Sequence, residues 1–168
     1  MGKEEIKFYI GKGGIAPTRN KGDAGFDFYI PEDWYPCGDP AFSWGQLGSI
    51  FLRSGEGILI NTKIRSKIPS GQALIAFNKS GIATKKHLQV GACVVDSSYQ
   101  GEIHIHVFNW GKQIISLEAK DKLVQFVPIQ INDGCNEAIY EEEMSIEEFY
   151  GSPSQRGSKG FGSTGDKV

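Results

Sequence analysis

Apolar side chains along this chain fall mostly two residues apart. In GILINTKIRSKIP, residues 57–69, Ile58, Ile60, Ile64 and Ile68 share one parity, while Asn61, Lys63, Arg65 and Lys67 take the other. That period of two is the pattern of a strand with one face buried. EIHIHVFN, starting at Glu102, repeats it with Ile103, Ile105 and Val107 inward. KLVQFVPIQI, residues 122–131, is more continuously apolar and predicts a more deeply buried strand. EIKFYI, GFDFYI, QALIAFN and HLQVGACVV read as further strands, separated by short turns rich in Gly, Pro, Asn and Asp.

A helical period is nearly absent. SIEEFY, residues 145–150, predicts one or two turns, with Ser145 as N-cap and Glu148 at the capping-box position. YPCGDPAFSWGQLGS, residues 35–49, reads as a long loop leaving the β-structure. The elements together predict one all-β domain over residues 1–132 with Greek-key or jelly-roll pairing. Residues 133–168 form a trailing segment, whose acidic stretch EEEMSIEE reads as solvated surface.

Composition narrows the classes of function. The chain has 168 residues, enough for a real core, and 39% of them are hydrophobic. Its 18 basic and 20 acidic residues leave a net charge of −2, so no basic face for duplex nucleic acid is expected. No run has the length of a membrane span, and MGKEEIKFYI lacks the apolar centre of a secretory leader. Cys37, Cys93 and Cys135 are odd in number and not at metal-ligand spacing, which reads as free thiols in a reducing cytoplasm. His104 and His106 share one strand face without a third ligand nearby and read as solvent-side strand residues, and His87 reads as structural rather than as a ligand.

Four stretches carry candidate chemistry. DAGFDFYI places Asp27 among apolar residues, where it needs a partner or points outward. NKSGIATKK offers Lys79 for charge, Ser80 for a hydroxyl and Gly81 for close backbone approach, a trio suited to a phosphate and common in turns. In VVDSSYQGE, Asp96 ends a strand beside a tight turn. There it either opens a hairpin or acts as a general base, with Tyr99 near enough to stack on a ring. Finally RGSKGFGSTG, residues 156–165, holds four glycines with Arg156, Lys159 and Phe161, but has no helix behind it as a P-loop does. The set points to an anionic ligand with an aromatic part.

In order, AGFDFYI, NKSGIATKK, VVDSSYQGEI, KLVQFVPI and RGSKGFGSTG resemble the five motifs of the homotrimeric dUTP diphosphatases (dUTPases), from about residue 24 to 165. The resemblance implies a distorted jelly-roll (β-clip) fold with a flexible glycine-rich C-terminal arm, and a homotrimer with active sites at subunit interfaces. It implies hydrolysis of dUTP to dUMP and pyrophosphate, which limits uracil in DNA and supplies dUMP, with Mg²⁺ held mainly by the triphosphate. It places the enzyme in the cytoplasm, or in a host's cytoplasm if the chain is viral.

By the same resemblance, Asp96 matches the catalytic base and Gln125 a polar contact near the α-phosphate and the attacking water. Tyr99 matches the residue under the deoxyribose. Lys79, Ser80 and Gly81 match phosphate contacts. Arg156, Gly162, Ser163 and Thr164 match the arm over the phosphates, Phe161 the ring that caps uracil, and Asp27 a residue near the metal's water shell. Lys79 stands where the family has Arg, Val90 where it has Asn, and Cys93 where it has Gly. Alternatives on the same fold are a dCTP deaminase or a modified-dUTP pyrophosphatase. A non-catalytic nucleotide-sensing or partner-binding domain, using the 35–49 loop, is a third.

Overall fold

The computed structural model describes residues 5–34, 49–132 and 145–152. Two compact units divide between Asn132 and Asp133. The described residues of the first carry ten strands: β1 Lys7–Ile10, β2 Phe26–Tyr29, β3 Ser49–Leu52, β4 Gly57–Lys67, β5 Gln72–Asn78, β6 Leu88–Val90, β7 Val94–Asp96, β8 Ile103–Asn109, β9 Ile115–Glu118 and β10 Lys122–Gln130. They form two four-stranded sheets, β1-β4-β8-β6 and β2-β10-β5-β7, and a ribbon, β3-β9. Every pairing is antiparallel. The all-β, jelly-roll expectation holds.

The core lies where the alternation placed it. Ile58, Ile60 and Ile64 of β4 and Ile103, Ile105 and Val107 of β8 are buried. They join Phe28, Leu74, Val95, Val124 and Phe126 from the second sheet and Leu52 and Leu117 from the ribbon in one cluster. Phe8 of β1 meets Phe26 and Phe28 edge-on, at ring-centroid distances of 5.1 and 5.8 Å. Phe28 in turn packs on Phe126 at 4.6 Å. These rings tie the edge of the first sheet to the second.

Two irregularities interrupt the strand register. The β4–β8 register shifts between Asn61 and Ile64, and Lys63 takes a φ of 61°. The buried Thr62 hydroxyl donates to Ile103 O at 2.6 Å, satisfying the hydrogen-bond demand the bulge creates. In β10 the shift between Lys122 and Val124 lets both Leu123 and Val124 face inward, which is why that strand reads as continuously apolar.

Some elements differ from the sequence reading. HLQVGACVV is not one strand: β6 and β7 belong to different sheets, and Gly91–Cys93 carries the chain between them. A π-helical turn, Ile82–Lys86, follows β5 and closes on His87 at a φ of 51°. β9 was not foreseen, nor was its partner β3, which begins at Ser49, the last residue assigned to the 35–49 loop. Residues 35–48 lie outside the described residues. In the second unit, helix α1 runs Ile146–Tyr150 behind Ser145, whose side chain accepts from Glu148 N while the Glu148 carboxylate accepts from Ser145 N, as the capping box requires.

Candidate functional site: a cationic cleft and a distant carboxylate hairpin

Strand register brings three of the singled-out stretches together. On β10, Gln125 lies between Asp27 of β2 and Phe77 of β5. One residue beyond Phe77, β5 ends at Asn78 and the chain turns through Lys79, Ser80 and Gly81 into the π-helical turn. The result is a cleft of about 470 Å³, whose lining includes Lys79, Ser80, Gly81, Lys85, Lys122 and Gln125. Gln125 Nε2 donates to Asn78 O at 3.3 Å, which fixes the end of its amide toward the turn.

Asp27 is the electrostatic anchor of the cleft. Its Oδ1 pairs with Lys79 Nζ, and its Oδ2 lies 3.1 Å from Lys122 Nζ. Burial pushes this carboxyl up. The hydrogen bonds and charges of the two ammonium groups outweigh that and hold it below its ordinary value of 3.8. The same contacts, Asp27 first and then Tyr29, raise Lys122 above 10.5. Lys122 Nζ also sits 5.4 Å from the centre of the Tyr29 ring. Lys122 was not singled out from the sequence. Its signal was only a basic residue three before Gln125, opening a buried strand.

Both Asp27 oxygens are thus occupied by lysines, and no three His, Cys, Asp or Glu side chains converge among the described residues. This donor set does not fit a resident metal centre. It fits an anion, which the excess of ammonium over carboxylate attracts. Lys86 is 3.5 Å from Asp121, and Lys85 has no carboxylate partner among the described residues.

The third stretch is elsewhere. Asp96 is exposed at the end of β7 and pairs across to Ala73, at the opposite end of β5 from Lys79. The five steps from Ala73 to Asn78 span roughly 17 Å at about 3.3 Å each. Within one chain, therefore, Asp96 and Tyr99 do not meet the cleft. Tyr99 N donates to Asp96 O at 3.1 Å, closing the turn, and Tyr99 Oη donates to Glu102 O at 3.0 Å.

The link between β6 and β7 is tightly held. Asn78 Oδ1 accepts from Val90 N at 2.8 Å, and its Nδ2 donates to Gln89 Oε1 at 2.7 Å. Gly91 N donates to His106 O at 2.8 Å and Ala92 N to His106 Nδ1 at 2.9 Å. Nδ1 of His106 is thus used as an acceptor. Cys93 O accepts from Ala76 N at 2.7 Å. The backbone N–H groups of Val90, Gly91 and Ala92 are already used inside the chain. His106 serves as a structural pin and is half-buried, where the sequence suggested a solvent-side strand residue. Arg156, Phe161, Gly162, Ser163 and Thr164 lie outside the described residues.

Comparison with known proteins fits this arrangement. A family model described as dUTPase matches residues 48–165. The deoxyuridine 5'-triphosphate nucleotidohydrolase of Candida glabrata is 32% identical over 153 residues, covering 90% of this chain and 90% of that protein. The rat protein of the same name is 30% identical over 151 residues; the chain spans 62% of its length. Among solved structures, a dUTPase variant of Staphylococcus bacteriophage 80alpha with dUpNHpp superposes with a TM-score of 0.71 at 22% identity. That match covers 97% of this chain and 99% of that one. A dUTPase variant from phage phi11 of S. aureus, described with a structural Mg(II) ion, superposes at 0.62, with 20% identity over 86% of this chain and 99% of that one. With the family model spanning most of the chain and a relative this similar along nine-tenths of its length, the chain belongs to the dUTPase family.

Proposed function

We propose that the protein hydrolyses dUTP to dUMP and pyrophosphate. The observation that carries the reading is the convergence of Lys79, Ser80, Gly81, Lys122 and Gln125 on one cleft of a dUTPase-family chain. Phosphoryl transfer needs positioning and charge neutralisation more than covalent groups, and this lining offers ammonium groups, a hydroxyl, a backbone N–H and an amide. The Asp96 carboxylate accepts a proton from water as the water oxygen bonds to the α-phosphorus. The bridging α–β P–O bond breaks, and pyrophosphate leaves with the electron pair. Gln125 orients the water, and the Tyr99 ring leaves no room for a 2′-hydroxyl. Mg²⁺, held mainly by the triphosphate, would supply further charge neutralisation there. Asp27 then acts by holding Lys79 and Lys122 at the phosphates.

The separation of Asp96 from the cleft supports a homotrimer, in which the Asp96–Tyr99 hairpin of one copy faces the Lys79–Gly81 turn of another. The arm, residues 156–165, closes over the nucleotide, with Arg156, Gly162, Ser163 and Thr164 on the phosphates and Phe161 on the uracil. We place the enzyme in the cytoplasm, where a free thiol such as Cys93 stays reduced.

The test is product release from dUTP, dCTP, dTTP and UTP. Pyrophosphate released from dUTP in preference to the others is expected. Ammonia from dCTP would point to a deaminase, and nucleotide binding without turnover to a sensing domain; either would overturn the reading. For the trimer, a chain lacking residues 156–168 and an Asp96→Asn chain are refolded together. If the arm serves a neighbour's Asp96, roughly a quarter of the sites are intact in an equal mixture. No recovery in confirmed mixed trimers would mean that the arm acts within its own chain.

A further inference from the structure

The turn that carries Tyr99 is fastened from outside by a set of side chains on β4. Arg65 Nη1 donates to Gln100 O at 2.6 Å, next to Tyr99. Its Nη2 lies 3.7 Å from Glu102 Oε1. The other Glu102 oxygen accepts from Asn61 Nδ2. Tyr99 Oη donates to the backbone oxygen of the same Glu102. Asn61 and Arg65 flank the β4 bulge, and the bulge sits where β8 leaves the hairpin, with Asn61 opposite His104 and Ile64 opposite Ile103. Bulges re-aim side chains in this way. Asn61 Oδ1 also accepts from Lys63 N at 2.8 Å, so the bulge fixes the amide that holds Glu102.

An ion pair as exposed as Arg65–Glu102 contributes little by itself, because water screens it. The geometry matters more than the charge. One planar guanidinium reaches both a carbonyl at the crest of the turn and a carboxylate at its base, which fixes the distance between them. Inside that frame the Tyr99 ring lies against Gly101, where any Cβ would collide with its hydroxyl end. The frame and the bare Gly101 backbone hold the hydroxyl end of the ring in place.

We infer that Arg65 and Glu102 are positioning residues for sugar selection, holding the Tyr99 ring where it excludes a ribose. This rests on the proposed dUTP hydrolysis and adds to it a specificity device whose guanidinium comes from β4, a strand outside all five motifs. The guanidinium and carboxylate act through Tyr99, by the contacts they make to its turn.

The experiment compares Arg65→Gln, Arg65→Lys and Gly101→Ala with the wild type. It reads kcat/KM for dUTP and for UTP, hydrogen exchange of the peptide spanning residues 96–102, and Tm. In Arg65→Gln the dUTP/UTP ratio should fall roughly tenfold, the scale of one lost charged hydrogen bond. Exchange at Ser98–Gly101 should quicken with little change in Tm. Arg65→Lys keeps one donor and should recover part of the ratio. Gly101→Ala should lower the ratio with Arg65 intact, because the ring must move.

An unchanged ratio with unchanged exchange would overturn the inference. So would an equal loss on both substrates with a lowered Tm, which marks a role in stability only. A wild-type protein inactive on dUTP would overturn the underlying reading, and sugar selection with it. Exchange needs no substrate and would still accept or reject the arginine's hold on the turn.

Discussion

Replacing Asn78 tests how the cleft and the β6–β7 link are joined. Its side chain makes two bonds across strands. Oδ1 accepts from Val90 N at 2.8 Å, and Nδ2 donates to Gln89 Oε1 at 2.7 Å. The amide orientation is fixed by chemistry, since a backbone N–H only donates and the oxygen must face it. Asn78→Ala leaves a half-buried N–H and a half-buried amide oxygen without these partners. A neutral bond contributes about 0.5–1.5 kcal/mol net, and a stranded buried group costs about 1–3. Both groups are partly reached by water, so a total near 2 kcal/mol is expected, toward the low end of that sum. For a chain of this size each kcal/mol moves Tm by about 2–4 °C, giving a fall of roughly 4–8 °C.

Asn78→Asp discriminates. It keeps the acceptor for Val90 N, and Gln89 can turn its amide to donate, so the expected cost is below about 1 kcal/mol. The assay is thermal unfolding at one protein concentration for all variants, because any assembly would make Tm concentration-dependent. In parallel, kcat/KM for dUTP should fall in the Ala variant, as Gln125 binds the carbonyl of this same residue. Equal destabilisation by Ala and Asp would refute the assignment of the Val90 bond as the important one. No loss in either would show that water replaces both bonds without penalty.

Asp96→Asn should leave nucleotide affinity near normal while turnover falls roughly 10²–10⁴-fold; calorimetric titration beside a pyrophosphate assay checks this, and near-normal turnover would remove Asp96 as the base. Because the Asp27 carboxyl is held below 3.8 in the folded protein, its stabilisation is fully present above that value and is lost as pH falls through the lowered one. Acid unfolding of Asp27→Asn should therefore show a shallower loss of stability below about pH 4 than the wild type, and identical acid curves would refute the clamp. At Gly57 an added Cβ would collide with the Phe108 ring, so Gly57→Ala should cost about 1–3 kcal/mol in chemical denaturation. Most of that cost should vanish when Phe108→Ala is added, and simple additivity would show that the strain lies elsewhere.

What the chain's sequence determined by itself is what depends on neighbours along the chain. The inward isoleucines of β4 and β8 were legible because burial of one face imposes a period of two. The cap of α1 was legible because Ser145 and Glu148 satisfy each other within one turn. The chemistry of the Lys79–Gly81 turn and of the Asp96 hairpin was visible as residue types, and the order of the five stretches pointed to the family.

Tertiary structure decided the rest, because it sets which distant residues meet. Whether Asp27 pointed outward or found a partner could not be read locally: Lys79 is 52 residues away, and Lys122 arrives only through the β2–β10 pairing. The split of HLQVGACVV into β6 and β7 follows from two sheets competing for adjacent residues, a choice made by their partners β8 and β5. The frame around Tyr99 depends on a bulge in β4, and a bulge shows in a sequence only as alternation that continues unbroken through Thr62. The separation of Asp96 from the cleft is likewise a matter of register. Both belong to β5 and its neighbours, and only the pairing of Ala73 with Asp96, against Asn78 with Val124, puts them at opposite ends of the strand.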